Sequence, residues 1–470
     1  MTQSSHPTAL IVVDLGYGDA GKGTMTEALA AHHDAHTVVR FNGGAQAGHN
    51  IVAPDGRHHT FSQFGSATLL PGVRTHLSQF MVVHPLAMLA EEEHLRHLGV
   101  RDAFARTTCD ERAPVITPFH QATNRLRELA RGDGRHGSCG IGVGETMSDL
   151  LTWGDRMVRA GDLRDPALLR RKLADVLAIK REDVRPLEAA LKGIPPAQAE
   201  LELLTGGRHV LDRCVEAFTE VARRLQLTTP ADQRDLLRRP GAVVFEGAQG
   251  VLLDEWHGFH PYTTWSTTTF HNALAILDEA EHAGPRLRVG VTRAYATRHG
   301  PGPFVTWDRE LTDRLPDSHN AFHPWQRHFR VGWLDLPALR YALEVCGGAD
   351  LLAVTHLDRL AAVPGPWPIA TAYTLPSDAP TAGLLDEGPR GQLTRVVPAF
   401  DEDLDRQRRL TDRLLACAPV YDAVAPDPTA ASDLARCMPM LKRLEDELGV
   451  RVGWVSSGPT RDDKQPLLDA

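Results

Sequence analysis

Lysine is scarce in this chain. Of its 51 basic residues only Lys22, Lys172, Lys180, Lys192, Lys442 and Lys464 are lysines; the rest are arginine. Basic residues are also outnumbered by 60 aspartates and glutamates, for a net charge of −9. That balance argues against a protein that coats nucleic acid, which would show a basic face. It leaves room for small anions, which need only a local cationic pocket. Cysteine is sparse too: Cys109, Cys139, Cys214, Cys346, Cys417 and Cys437 form no CxxC pair. A zinc framework or a disulfide scaffold is therefore not expected, and the thiols read as reduced. No apolar run approaches the ~20 residues of a membrane span. Met1 to Thr8 lacks a basic segment followed by an apolar one, so no secretory leader is expected. Repeats, low-complexity tracts and clear linkers are lacking as well. The expectation is a soluble, cytoplasmic protein with one large domain over residues 1–470 and no membrane or nucleic-acid partner.

What is present is the composition of an ordinary globular protein, 42% hydrophobic and 24% charged. Leu10 to Leu15 reads as a short buried strand, Met25 to His33 as a helix and Thr37 to Phe41 as a second strand. Buried strands are also expected over Ala242–Glu246, Leu287–Thr292 and Leu351–Thr355. A helix is expected over Thr123–Arg131, and a layer of solvated helices over about 165–225. Pro364 to Pro380 is proline-rich and reads as a surface connection. Strand–loop–helix–strand at the start points to an α/β architecture with ligand loops at the carboxyl ends of strands.

The first such loop is Gly16-Tyr17-Gly18-Asp19-Ala20-Gly21-Lys22-Gly23-Thr24. Glycine turns expose backbone N–H groups, and a helix start beyond them favours phosphate oxygens. The spacing departs from G-x-x-x-x-G-K-[ST], because Gly23 separates Lys22 from Thr24. Asp19 is the odd member. A carboxylate beside phosphates makes sense if it holds Mg²⁺, or if it takes a proton from the attacking group. A second glycine loop, Asn42 to Asn50, ends in Gly48-His49-Asn50. A lone histidine is usually structural, but this one sits at a strand end where an acid could stand. One carboxylate and one imidazole on two phosphate-type loops suggest phosphoryl transfer with acid–base assistance.

These stretches resemble the adenylosuccinate synthetase family. Gly18 to Gly23 is similar to the family's G-D-E-G-K-G, and Gly43 to Asn50 to its G-G-x-N-A-G-H-T. The resemblance continues through Phe245-Glu246-Gly247-Ala248-Gln249-Gly250, His257 to Thr264, Ala294 to Phe304, Gly332 to Asp335, Thr355-His356-Leu357-Asp358 and Ser456-Ser457-Gly458-Pro459. The motifs keep their order and cover essentially the whole chain. They imply a large, mostly parallel sheet flanked by helices, in a P-loop-like fold. They also imply a ligase that joins L-aspartate to C6 of IMP, with GTP and Mg²⁺, in a homodimer.

The resemblance implies roles residue by residue. Asp19 takes the purine N1 proton and touches Mg²⁺, with the Gly48 carbonyl as a second metal ligand. Lys22 and the amides of Gly18, Gly21, Gly23 and Thr24 hold phosphate, with Gly48 and Asn50 nearby. His49 is the acid at the transferring phosphoryl group. Gln249 holds the nucleotide base; read without the resemblance, its amide could simply stabilise a turn. Gln46 and Thr264 attend the IMP. His356, Asp358, Ser457 and Gly458 form the guanine pocket, where Asp358 accepts the N1 and N2 hydrogens and His356 replaces a family lysine.

Three departures are visible. Arg135 to Val143 replaces the family's G-T-T-G-x-G-I-G-P, leaving Ser138 as the candidate phosphate contact. The arginine that crosses the family dimer is either Arg156 or Arg159. The amino-acid loop reads Pro324 to Trp333, so Arg327 and Arg330 remain to grip the carboxylates while the middle arginine is Phe329. Arg327 is also expected near IMP and Arg330 near GTP. The alternatives kept open are a diverged paralogue using another purine-like nucleotide, such as (d)GMP or an antibiotic precursor, or another amine, and a GTP-hydrolysing switch.

Overall fold

A computed structural model describes residues 6–317, 320, 325–326, 328–376 and 380–468. Its first strand, Pro7–Asp14, carries an uninterrupted apolar run, and that run is buried on both faces. Such a strand fits only inside a sheet covered on both sides. It lies in the middle of ten. From one edge the order is Lys464–Pro466, Val452–Ser456, Leu351–Thr355, Arg286–Arg293, Pro7–Asp14, Gly241–Glu246, Thr37–Arg40, Arg74–Leu77, Thr107–Asp110 and Gln226–Thr228. Every neighbouring pair is parallel except Val452–Ser456 with Lys464–Pro466. The α/β expectation therefore holds, and the five expected strands are present within a few residues.

Parallel strands send their carboxyl ends to one edge of the sheet, where such folds bind ligands. Both glycine loops leave from that edge, as do Gly247–Gly250, His356–Asp358 and the turn after Ser456. The helix Lys22–His32 starts directly from the first loop, with Gly21 as its cap at φ 85°. The second loop runs into a hairpin, His49–Val52 with His58–Phe61.

The helix read as Thr123–Arg131 begins earlier, at Pro118. Thr117 caps it and His120 completes a capping box, a local signal that lies outside the apolar repeat. The expected helical layer is present as Pro166–Val184, Pro195–Thr205 and Gly207–Arg224. Its inner side is not solvated: Leu169, Leu173, Val176, Phe218 and Val221 join a second core with Phe119 and Leu126.

One expectation fails. Within Pro364–Pro380, Trp367–Thr374 is a strand of a second sheet, paired with Leu334–Asp335, Leu393–Val396 and Ala418–Val424. Trp367, Ile369, Ala370, Ala372 and Tyr373 are buried there. The prolines crowd the entry, and Pro368 is the only one inside the strand. Among the described residues no helix is long and apolar enough to cross a membrane, and all six cysteines are free thiols.

Candidate functional site

The first glycine loop is organised by a residue that the sequence reading passed over. Asp14 ends the central strand, and its carboxylate accepts N–H from Gly16 at 2.8 Å, Gly18 at 3.3 Å and Ala20 at 2.9 Å. It also takes the Lys22 ammonium at 3.1 Å. Lys22 is thus held over the loop by a buried ion pair, beside a helix start that favours anions. An acid closing an apolar run just before glycines is the signal that could have found Asp14.

Asp19 sits in the left-handed region at φ 61°. Its carbonyl accepts Arg293 Nε at 2.6 Å, while its carboxylate makes no hydrogen bond among the described residues. Burial pushes this carboxyl up, against the charges of Arg293, Lys22 and His299. Arg293 in turn reaches Tyr295 OH at 3.2 Å and Asp317 Oδ2 at 3.1 Å. The sequence reading missed it.

The loop of Gln249 lies against the loop of Asp19. A Cβ on Gly250 would fall 2.2 Å from the Gly16 carbonyl oxygen, so no other residue fits there without moving one loop. Gln249 is left-handed at φ 57°, and neither atom of its buried amide has a hydrogen-bond partner among the described residues. Turn stabilisation is therefore not its job. The amide of Gln46 is buried and unpartnered in the same way. Asn42 ties the two loops together, accepting Ala248 N–H at 2.7 Å and donating to the Ala248 and Thr267 carbonyls at 3.2 and 3.0 Å. Buried amides are almost always hydrogen-bonded, so these two ask for an explanation that the fold does not supply.

His49 is half satisfied. Its Nδ1 lies 2.5 Å from Glu246 Oε1, and its buried Nε2 has no partner. Burial would raise Glu246, but the charge of Arg40 and the hydrogen bonds of His49 and Ser66 outweigh it and hold the carboxyl at about 2. Burial, with Arg40 and Lys22 beside it, lowers the imidazole despite Glu246. The resting state is then a neutral ring donating Nδ1–H to a carboxylate. A Cβ on Gly23 would lie 2.6 Å from His49 Cβ, so this glycine lets the imidazole approach the helix start. Glu246 and Arg40 were not among the expected site residues.

The remaining expected residues divide. Ser138 donates to Asn124 Oδ1 at 2.7 Å and accepts Gly140 N–H at 3.2 Å, in a loop pressed onto Pro301 through Gly137. Thr264 donates its N–H to Leu253 O at 2.8 Å. Asn50 accepts the Thr60 hydroxyl at 2.6 Å, and Thr24 caps back onto Gly21 O at 3.1 Å. Gly48 is exposed at the rim. Arg330 spends Nη2 on the carbonyls of Gly300 and Gly302, at 2.7 and 3.1 Å, and burial with Arg298 nearby lowers it to about 10. Phe329 stacks 5.7 Å below Arg293. Arg327 and Pro324 lie outside the described residues.

On the other flank, His356 and Asp358 follow Leu351–Thr355, and Ser457 and Gly458 follow Val452–Ser456. His356 Nδ1 meets Thr355 Oγ1 at 2.8 Å. Lys464, also unforeseen, donates to the carbonyls of Gly458 and Thr460 at 2.8 and 2.7 Å. Arg159 is pinned to Arg112 O at 2.9 Å. Arg156 is exposed over Trp153, with Asp175 3.5 Å away.

Comparison with known proteins places this geometry. Residues 11–465 match the sequence model of the adenylosuccinate synthetase family. Adenylosuccinate synthetases from Sorangium cellulosum and Desulfovibrio desulfuricans are 33% and 31% identical, the first over 97% of both chains. The second alignment covers 96% of this chain and 98% of its relative. The fully ligated adenylosuccinate synthetase of Plasmodium falciparum shares the fold at TM-score 0.73, with 19% identity over 98% of this chain and 99% of that one. A cyanophage S-2L succinoaminodeoxyadenylate synthetase, bound to dGMP and dATP as an energy donor, aligns at TM-score 0.58 and 16% identity over 99% and 96%. The chain belongs to the adenylosuccinate synthetase family, ligases that form a C–N bond.

Proposed function

We propose that this cleft phosphorylates O6 of IMP with GTP and then displaces the phosphate with the amine of L-aspartate, giving adenylosuccinate. The observation that carries the reading is the buried Gln249 amide, without a hydrogen-bond partner among the described residues, on a loop packed against the loop of Asp19.

Asp19 accepts the N1 proton; its raised affinity for protons makes it the stronger base. The electron pair released from N1–H makes O6 a nucleophile, and Gln249 Nε2 donates to that oxygen to hold it in line. O6 bonds to the γ-phosphorus and the bond to the β–γ bridging oxygen breaks, releasing GDP. Lys22, the amides of Gly18, Gly21, Gly23 and Thr24, and the loop from Gly48 to Asn50 balance the charge on the phosphates. His49 Nε2, once protonated, donates to the departing side. The aspartate nitrogen then bonds to C6, the C6–O6 bond breaks, and phosphate leaves with O6 while the amine loses a proton. Gln46, Ser138 and Thr264 attend the IMP and Arg330 grips the aspartate; the family resemblance assigns Arg327 to the IMP and the amino acid.

Among the described residues no cluster of three or more metal-binding side chains exists. A hard cation held by one carboxylate, one carbonyl and nucleotide phosphates is the arrangement Mg²⁺ accepts. Asp19 and the Gly48 carbonyl fit it, because the carboxylate is unspent and the glycine is exposed. Bound there, Mg²⁺ would neutralise charge on the triphosphate.

Leu151, Trp153 and Trp265 are large exposed apolar side chains, at 75%, 40% and 44%, and Arg156 stacks over Trp153. They support a homodimer to which Arg156 rather than the pinned Arg159 contributes across the interface.

One observation favours a second reading of the amine. The family motif that this loop resembles has an arginine where Phe329 stands, and the Phe329 ring lies against Arg293, which favours an amine other than aspartate. The test is product mass after incubation with GTP, Mg²⁺, IMP or (d)GMP, and a mixture of amino acids. Adenylosuccinate from IMP and aspartate supports the reading. GTP hydrolysis that ignores both substrates would sink it.

A further inference from the structure

We propose that Lys464 is a specificity-determining residue for the phosphate donor, its ammonium donating to the 6-oxo group of a purine whose N1 and N2 hydrogens go to Asp358. The inference rests on the reading of this flank as the donor's base pocket.

The reasoning starts from a proton count at His356. The Thr355 hydroxyl has a single hydrogen, and two carbonyls compete for it, Ala20 O at 2.8 Å and Thr292 O at 3.4 Å. Thr355 Oγ1 must then accept from His356 Nδ1 at 2.8 Å. That fixes the tautomer: Nδ1 carries the hydrogen and Nε2 carries a lone pair. Burial with Arg293, Lys464 and Arg359 nearby holds the ring well below the usual imidazole range, so it stays neutral. His356 offers a purine edge an acceptor and no donor.

A 6-oxopurine needs the reverse at O6. Asp358, half-buried at the start of Leu357–Ala361, is acceptor-only when ionised and suits N1–H and N2–H. The donor has to come from elsewhere. Lys464 is buried at the start of the edge strand, in register with Ser456. Two of its three hydrogens go to Gly458 O and Thr460 O, in the very turn expected to hold the base. No third acceptor exists among the described residues. The acids whose charge acts on it are Asp463, Glu27 and Asp358, and its own charge acts on His356. The ammonium is therefore fixed on the turn after Ser456, near enough to Asp358 and His356 for the charges to be felt, with one hydrogen to give. Adenine presents an N6 amine at that place, a donor that the ammonium cannot accept. In a chain with six lysines, one buried at this point is chemically specific.

The test compares the full-length wild type and K464M with GTP, ITP and ATP as donors, and measures GDP and ADP affinities by calorimetry with Mg²⁺. ITP retains O6 and lacks the 2-amino group. Removing a charged donor from a buried polar contact predicts a loss of about 10–100-fold in kcat/KM, carried mainly by KM. The loss should be equal for GTP and ITP, with a matching fall in GDP affinity. ATP use and ADP affinity should be unchanged, which also reports that the variant folds; K464Q takes its place if K464M does not. Equal losses on all three donors would mean that Lys464 serves the turn alone, and would overturn the inference. So would a GTP preference that survives K464M, with the donor reading left standing. A wild type that prefers ATP to GTP overturns that reading and the inference together.

Discussion

His49 donates Nδ1–H to Glu246 across 2.5 Å and leaves Nε2 bare toward the first glycine loop. The pair is poised rather than charged on both sides. Glu246 is held at about 2 and ionised, while burial keeps the ring neutral. A polyphosphate arriving beside Nε2 adds negative charge to one side of a ring that already faces a carboxylate on the other. Both favour the imidazolium, so nucleotide binding itself should load the proton that His49 later donates.

Replacing Glu246 by Gln keeps a hydrogen-bond acceptor and removes the charge. We expect kcat to fall about a hundredfold, within the range for positioned proton transfer, with donor KM little changed. Nitrogen-15 spectra of His49 should show its pKa rising on binding a non-hydrolysable GTP analogue in the wild type and failing to rise in E246Q. There is also a signature in stability. The Glu246 carboxyl is depressed on folding, so its contribution is complete above the ordinary carboxylate range and fades as pH falls from about 4.5 toward 2. The stability gap between wild type and E246Q should close over that interval in urea titrations.

Asp19→Asn removes the proposed base and keeps the shape. Nucleotide binding should survive by calorimetry, because Lys22 and the loop amides are anchored by Asp14 rather than by Asp19. Product formation should drop by roughly 10²–10⁴. Turnover near wild type would show that something else removes the N1 proton.

The loops that bear the site were legible because glycine at a strand end is a local signal. Asp19, Lys22, His49 and Gln249 all lie in such loops. What escaped was long-range in kind. Glu246 matters through a contact with a residue 197 positions away, and Lys464 through a turn that only the fold brings to the cleft. Trp367–Thr374 escaped for another reason: its prolines outweighed an alternation of Trp367 and Ile369 that the pairing with Ala418–Val424 made decisive. Asp14 was within reach, as an acid that closes a buried strand.

Gln249→Leu separates function from stability. A buried amide with neither atom bonded costs about 1–3 kcal/mol, and leucine has nearly its shape. Thermal unfolding of the free protein should therefore be unchanged or shifted upward, while kcat/KM for IMP falls by at least tenfold. An amide employed in the fold would give the opposite, a drop in melting temperature with modest kinetic loss.

Arg156 offers the sharpest test of assembly. Its guanidinium is exposed and stacked 5.0 Å over the exposed Trp153, whereas Arg159 is held by the Arg112 carbonyl. If Arg156 acts on the partner's cleft, R156A and D19N each inactivate the homodimer by different routes. Mixed and re-equilibrated, half of the dimers carry one of each chain. In such a dimer the cleft with an intact Asp19 belongs to the R156A chain and receives Arg156 from its D19N partner, while the other cleft lacks both. About a quarter of all clefts should then regain activity in an equimolar mixture, as a two-fold interface requires. An arginine acting within its own chain gives no recovery at any mixing ratio, and sedimentation of the same samples shows whether the mixed dimer formed.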